Sequence, residues 1–202
     1  MTKLKEKFQF WIASEARLAH DMGFTPNRMS AIGILLAALS AFMYSYWWLH
    51  QLLLILAPVF LLVSGFCDAL DGALARIYGE ATSFGGFMDS LLDRYADAAV
   101  ISGIILGGLC NFSWGTIALI GSLLVSYTRA RAEAEGVEME TKGLAERAER
   151  LIILAAATFL TIAWPETLRW AIILLAVLTN LTVLQRTAYF YGASRKKGKS
   201  LD

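Results

Sequence analysis

The chain has 202 residues, 57% of them hydrophobic and 17% charged, with a formal net charge of +1. Few soluble domains reach its mean hydropathy of +0.54, which argues against an ordinary water-soluble globule, so an all-α polytopic membrane protein is expected. A charge this near zero gives no argument for a nucleic-acid partner, and none is expected.

Residues 1–24 read as an amphipathic helix. Leu4, Phe8, Trp11, Ile12, Leu18, Ala19 and Met22 share one face, with Lys3 and Arg17 opposite. That pattern suits a helix lying among lipid headgroups rather than crossing them. Thr25-Pro26-Asn27 breaks it, and six spans follow: Arg28 to Trp48, Leu52 into the Arg76 region, Phe84 to Cys110, Trp114 to Ala130, Ala148 to Trp164, and Leu168 to Tyr189. Each is near or above the ~20 residues a bilayer core requires. Together they define a membrane domain over 25–190, with a basic tail over 191–202. No cleavable signal peptide is expected, because the basic N-terminus lacks a short apolar core before a small-residue cleavage site.

Lys and Arg gather at 3–28, Arg76, Arg129 to Arg150 and Arg186 to Lys199, against Arg169 alone on the other side. The positive-inside rule therefore predicts a multi-pass protein of the cell membrane with both termini cytoplasmic. Trp47, Trp48, Trp114 and Trp164 fall at the opposite, outer ends. Cys67 and Cys110 then lie near opposite membrane faces, too far apart for a disulfide.

Charge inside the second and third spans needs a separate explanation. Asp68 and Asp71 (i, i+3) share a face at the end of one helix, and Asp89 and Asp93 (i, i+4) share a face at the start of the next. A carboxylate in hydrocarbon is costly, so four of them imply a neutralising partner, and clustered carboxylates suit Mg²⁺ or Mn²⁺. The short link predicts that the two helices are antiparallel neighbours, with all four carboxylates at the cytoplasmic end. One or two ions held there could grip phosphate oxygens for phosphoryl-type transfer. Gly72, Ala75, Gly85 and Gly86 clear space beside them. Asp97, one turn beyond Asp93 and three residues from Arg94, reads as a structural ion pair. An ion pathway in a transporter is the rival from another class, but it would place its charges near mid-bilayer.

These residues resemble a known signature. Asp68-x-x-Asp71-Gly72-x-x-Ala75-Arg76, eight residues, then Gly85-x-x-x-Asp89-x-x-x-Asp93 matches that of the CDP-alcohol phosphotransferases at every defining position. The resemblance implies a six-helix bundle with an N-terminal surface helix, commonly a homodimer. Such enzymes displace CMP from a CDP-linked lipid with an alcohol. It further implies Asp68, Asp71, Asp89 and Asp93 as ligands, with Mg²⁺ (or Mn²⁺, two ions) as cofactor, and Asp93 also as the base. The CDP group would be touched by Gly72, Ala75, Arg76, Thr82 and the segment Asn27, Arg28, Met29, Ser30.

A second cluster is cationic: Arg129 and Arg131 end the fourth span, Lys142 follows, Arg147 and Arg150 enter the fifth, and Arg186 lies in the sixth. Glu146 is placed to pair with Arg150. Guanidinium forks suit a phosphate-bearing acceptor and would repel choline. Ser126-Tyr127-x-Arg129-Ala-Arg131-Ala-Glu133 with Gly143-Leu-Ala-Glu146-Arg147-Ala-Glu-Arg150 resembles the branch that uses inositol 1-phosphate. By that likeness Ser126, Arg129, Arg131, Arg150 and Arg186 would hold the acceptor. Many members of that branch have Lys where this chain has Arg129. Glycerol 3-phosphate is the alternative acceptor, and the lipid is archaeol-based or diacylglycerol-based.

Overall fold

The computed structural model describes residues 2–139, 143, 144 and 146–198, with side chains for all of these except 2–10 and 195–198. Lys142 and Lys199 of the two basic clusters lie outside the described residues. Among the described residues seven α-helices carry the fold: α1 (Thr2–Asp21), α2 (Pro26–Ser45), α3 (Gln51–Ile77), α4 (Ser83–Leu106), α5 (Phe112–Ala134), α6 (Arg147–Thr161) and α7 (Thr167–Gly198). A 3-10 turn, Trp47–Leu49, links α2 to α3.

Local sequence chemistry sets the helix starts. Thr25 caps α2, its hydroxyl accepting from the Arg28 N–H, and Pro26 occupies the first turn where its missing donor costs nothing. Thr82 caps α4 by accepting from the Gly85 N–H at 2.9 Å. Glu146 and Glu149 form a reciprocal capping box at the start of α6, which takes Glu146 out of its expected pairing with Arg150. Between α3 and α4 the chain turns through Gly79 at φ +69°, a left-handed conformation that favours glycine. At the other end α7 runs on to Gly198, so most of the expected tail continues the last helix.

Helices α2, α3, α6, α7, α5 and α4 form a closed ring, each packed on the next and α4 returning to α2; α1 lies outside on α3. Tyr44, Leu61, Ile104, Leu168 and Ile172 fill the ring's main apolar core. Ile12 and Ala16 of α1 pack with Met29 and Leu70 in a second cluster. Trp11 and Leu18 of α1, and Met22 just beyond its end, are exposed, with the Trp11 ring resting 5.3 Å from that of Phe66. Cys67 and Cys110 are free and sit in different clusters.

One expectation is corrected. Among the described residues α3 and α4 are not a packed pair: both pack on α2, and α3 also on α6 while α4 packs on α5. Closing a ring with α2 between them separates two helices that are adjacent in sequence, and the gap is where the carboxylates meet.

Among the described residues, three helices are long and apolar enough to cross a membrane: Pro26–Ser45, Gln51–Ile77 and Thr167–Ser194. The other three expected spans are helical, but they are diluted or short. Asp89, Asp93, Arg94 and Asp97 interrupt α4, α5 ends on Arg129, Arg131 and Glu133, and α6 has 15 residues.

Two glycines let α4 cross α2 at backbone contact. A Cβ at Gly103 would overlap the Ala41 carbonyl, and one at Gly107 that of Tyr44. Gly103→Ala is expected to cost about 1–3 kcal/mol by overpacking, read as a lowered unfolding temperature in detergent; an unchanged temperature would mean the crossing can loosen freely.

Candidate functional site

The last turns of α3 present Asp68 and Asp71, and α4 presents Asp89, Asp93 and Asp97 at successive turns. Carboxylate oxygens of Asp68, Asp71 and Asp89 all lie within 4.8 Å of one another. Asp71 is 5% exposed and is fixed by the Ser30 hydroxyl of α2, which donates to its Oδ2 at 2.5 Å. Three oxygen donors from two helices at this spacing fit a hard divalent cation such as Mg²⁺ or Mn²⁺.

Asp93 stands beside this triad and is held from the other direction. Arg147, at the first position of α6, reaches into the gap between α3 and α4. Its Nη1 lies 2.6 Å from Asp68 Oδ2 and 2.7 Å from Asp93 Oδ1, and its Nε lies 3.3 Å from Asp97 Oδ1. Arg150, one turn on, donates from Nη2 to Asp97 Oδ2 at 2.6 Å. Asp97 thus forms the expected ion pair, but with α6 rather than with Arg94, which sits 3.8 Å from Asp93.

The aspartates stand between two cavities of different chemistry. One, of about 220 Å³, opens between α2, α3 and the α3–α4 turn. It is lined by Asn27, Ser30, Asp71, Gly72, Ala75, Arg76, Thr82 and Asp89. The other, of about 390 Å³, is lined by Asp68, Asp93 and Asp97 on one side and by Ser126, Arg129, Arg147, Arg150 and Arg186 on the other. A third, small cavity of about 20 Å³ shares Ser30, Asp71 and Asp89 with the first and Asp68, Asp93 and Arg147 with the second. Within the cationic cavity Arg129 is paired with Glu133 at 2.8 Å, and Arg186 donates to the Val125 carbonyl.

Three residues expected at the site lie elsewhere. Arg28 donates to the Gly23 carbonyl at 3.0 Å, and Met29 is buried in the core beneath α1. Asn27 and Ser30 are three apart and share the cleft face, while the two residues between them are rotated off it. Arg131 pairs with Glu135 at 2.6 Å and borders a mostly apolar cavity with Tyr127 and Phe190, which meets the cationic one at Arg186. It is two residues from Arg129, roughly 200° around the helix.

Conversely, sequence reading placed Arg147 with Arg150 at the entry to the fifth span but gave it no role among the carboxylates. Its closest partners are at least 50 residues away in the chain, a distance over which periodicity carries no signal.

Comparison with known proteins finds relatives over most of the chain. The family model of CDP-alcohol phosphatidyltransferases matches residues 24–182. Archaetidylinositol phosphate synthase of Pyrococcus horikoshii is 38% identical over 186 residues, covering 92% of this chain and 94% of that protein. Phosphatidylinositol phosphate synthase of Mycobacteroides abscessus is 36% identical over 179 residues, covering 81% of this chain and 76% of the relative. Among solved structures, phosphatidylinositol phosphate synthase of Mycobacterium tuberculosis with CDP-DAG bound superposes with a TM-score of 0.76 at 29% identity, covering 89% of this chain and 93% of that one. The same enzyme in complex with manganese and citrate also gives 0.76, covering 89% and 88%. The matched region holds the two aspartate helices, the Ser30 contact and the arginine that joins them, and the chain belongs to the CDP-alcohol phosphatidyltransferase family.

Proposed function

We propose that this enzyme transfers the lipid-phosphate group of a CDP-linked lipid, CDP-archaeol or CDP-diacylglycerol, to inositol 1-phosphate and releases CMP. The observation that carries this reading is the placement of the aspartates between two cavities. Asp71 and Asp89 border a glycine-lined cleft, and Asp68 and Asp93 border a cavity lined by five arginines, Arg94, Arg129, Arg147, Arg150 and Arg186.

The donor occupies the first cavity. Gly72 and Ala75 leave room for the pyrophosphate, Arg76 offsets its charge, and Asn27, Ser30 and Thr82 supply polar atoms for the nucleotide. Asp68, Asp71, Asp89 and Asp93 would hold one or two Mg²⁺ or Mn²⁺ ions, which when bound supply charge neutralisation at the phosphates. The homologous structure carrying manganese supports divalent-metal use.

The acceptor occupies the second cavity. Its phosphate is met by Arg129, Arg150 and Arg186, whose planar donors match phosphate oxygens, with Ser126 beside them. One inositol hydroxyl faces Asp93. Asp93 accepts the hydroxyl proton, and the oxygen attacks the lipid-bearing phosphorus. The bond from that phosphorus to the bridging oxygen breaks, and CMP departs with the electron pair. Arg131, paired outside this cavity, has no direct contact with the acceptor in this reading.

The six ring helices cross the membrane with both termini and the site on the cytoplasmic side. At 1.5 Å per residue α4 and α5 reach about 35 Å, enough for a ~30 Å hydrocarbon core. The shorter α6 is included because it packs between α3 and α7. The chain acts as a homodimer, as its family resemblance implies.

The test is an acceptor panel: purified protein, Mg²⁺, both CDP-lipids, and labelled inositol 1-phosphate or glycerol 3-phosphate. Lipid-linked label and CMP are expected with inositol 1-phosphate. Product with glycerol 3-phosphate alone would replace the acceptor assigned above.

A further inference from the structure

Arg147 has no part in the donor cleft, and its place on the acceptor cavity's wall does not account for its contacts with the carboxylates. Its guanidinium bridges three carboxylates from two helices and engages Asp93 Oδ1, an oxygen of the carboxylate that would receive the acceptor's proton. The same side chain forms part of the wall of the cationic cavity, alongside Arg129, Arg150 and Arg186. It therefore sits between two anions that want it: the carboxylates on one side and whatever phosphate enters on the other.

We infer that Arg147 is a positioning residue that changes partners, covering Asp93 while the acceptor cavity holds no phosphate and turning to the acceptor's phosphate when it enters, so that the base and the cation-binding carboxylates are uncovered together. The inference rests on the acceptor reading given above.

The exchange is physically balanced. A guanidinium on Asp68 and Asp93 uses carboxylate lone pairs that a divalent cation also needs, so the two cations compete. A phosphate in the cavity offers Arg147 an equally good bidentate partner without moving α6. With no phosphate bound, Asp93 is engaged by Arg147 and is not free to deprotonate a water in the site.

By reciprocity, anything that draws Arg147 off the carboxylates must tighten cation binding by the same factor that the cation tightens the acceptor. The experiment is Mn²⁺ titration by electron paramagnetic resonance, without CDP-lipid, in the presence and absence of inositol 1-phosphate. Wild type is expected to bind Mn²⁺ at least fivefold tighter with inositol 1-phosphate present, within the usual range of coupling.

Two variants carry the distinction. Arg147→Gln should bind Mn²⁺ tighter at baseline and lose most of that enhancement. Arg147→Lys keeps the charge but cannot bridge three carboxylates; it too should lose the enhancement, which excludes simple charge removal and serves if the glutamine variant does not fold. Equal enhancement in wild type and both variants would overturn the inference. Direct binding of labelled inositol 1-phosphate in the same samples separates the failures. Binding to wild type with no change in Mn²⁺ affinity defeats the partner exchange alone, whereas no binding removes the acceptor reading and the inference with it.

Discussion

CMP release is expected to fall by roughly 100- to 10,000-fold in Asp93→Asn, the usual weight of a general base, while Mn²⁺ remains bound to the protein. The separation follows from geometry. The tight carboxylate group consists of Asp68, Asp71 and Asp89, and Asp93 is engaged by Arg147 from the acceptor side. Asparagine keeps the size of Asp93 and an oxygen for Arg147, so local packing should persist. Asp71→Asn should behave differently, losing the ion and the activity together, because Asp71 belongs to that tight group and is oriented by Ser30. Metal titration beside a CMP assay separates the two variants. Complete loss of Mn²⁺ in Asp93→Asn would make Asp93 chiefly a ligand and leave the reaction without its base.

Arg150 gives the second large effect. It is 4% exposed and donates to Asp97 at 2.6 Å, inside the wall shared by α4 and α6. Breaking a buried ion pair by removing one partner costs about 3–5 kcal/mol, because the other charge is left uncompensated. Here Arg147 stays on Asp97, so Arg150→Met should lie near the lower end, about 3 kcal/mol, read from unfolding in detergent. Removing both charges, in Arg150→Met with Asp97→Leu, should recover most of that stability. It should not recover the acceptor. A charged hydrogen bond is worth about 1.5–3 kcal/mol, so KM for inositol 1-phosphate should stay raised by roughly 10- to 150-fold in the double variant. A double variant that restored both stability and KM would make Arg150 a purely structural residue.

The sequence was explicit wherever the controlling interaction is local. Helical periodicity gave the Asp68/Asp71 and Asp89/Asp93 faces, because residues three and four apart must share one. Thr25-Pro26-Asn27 marked the break before the first span, since a cap acts over three residues. The arginines at 129, 150 and 186 were legible as a cluster through charge asymmetry, and the cavity lined by all three agrees. The segment 27–30 was read too broadly. Asn27 and Ser30 face the cleft, while Arg28 and Met29 turn to the loop and the core, a distinction that one helical turn of rotation makes.

By itself the amino-acid order determined that the chain is helical, where its carboxylates share faces, and which family signature they form, because each depends on neighbours within a turn or two. Only the tertiary structure decided that α2 intervenes between α3 and α4, that the gap becomes two cavities, and that Arg147 enters between Asp68 and Asp93. Those outcomes depend on how six helices close a ring, a balance of packing over contacts more than a hundred residues apart, such as the Tyr44–Thr158 hydrogen bond at a separation of 114. No local rule reaches that far.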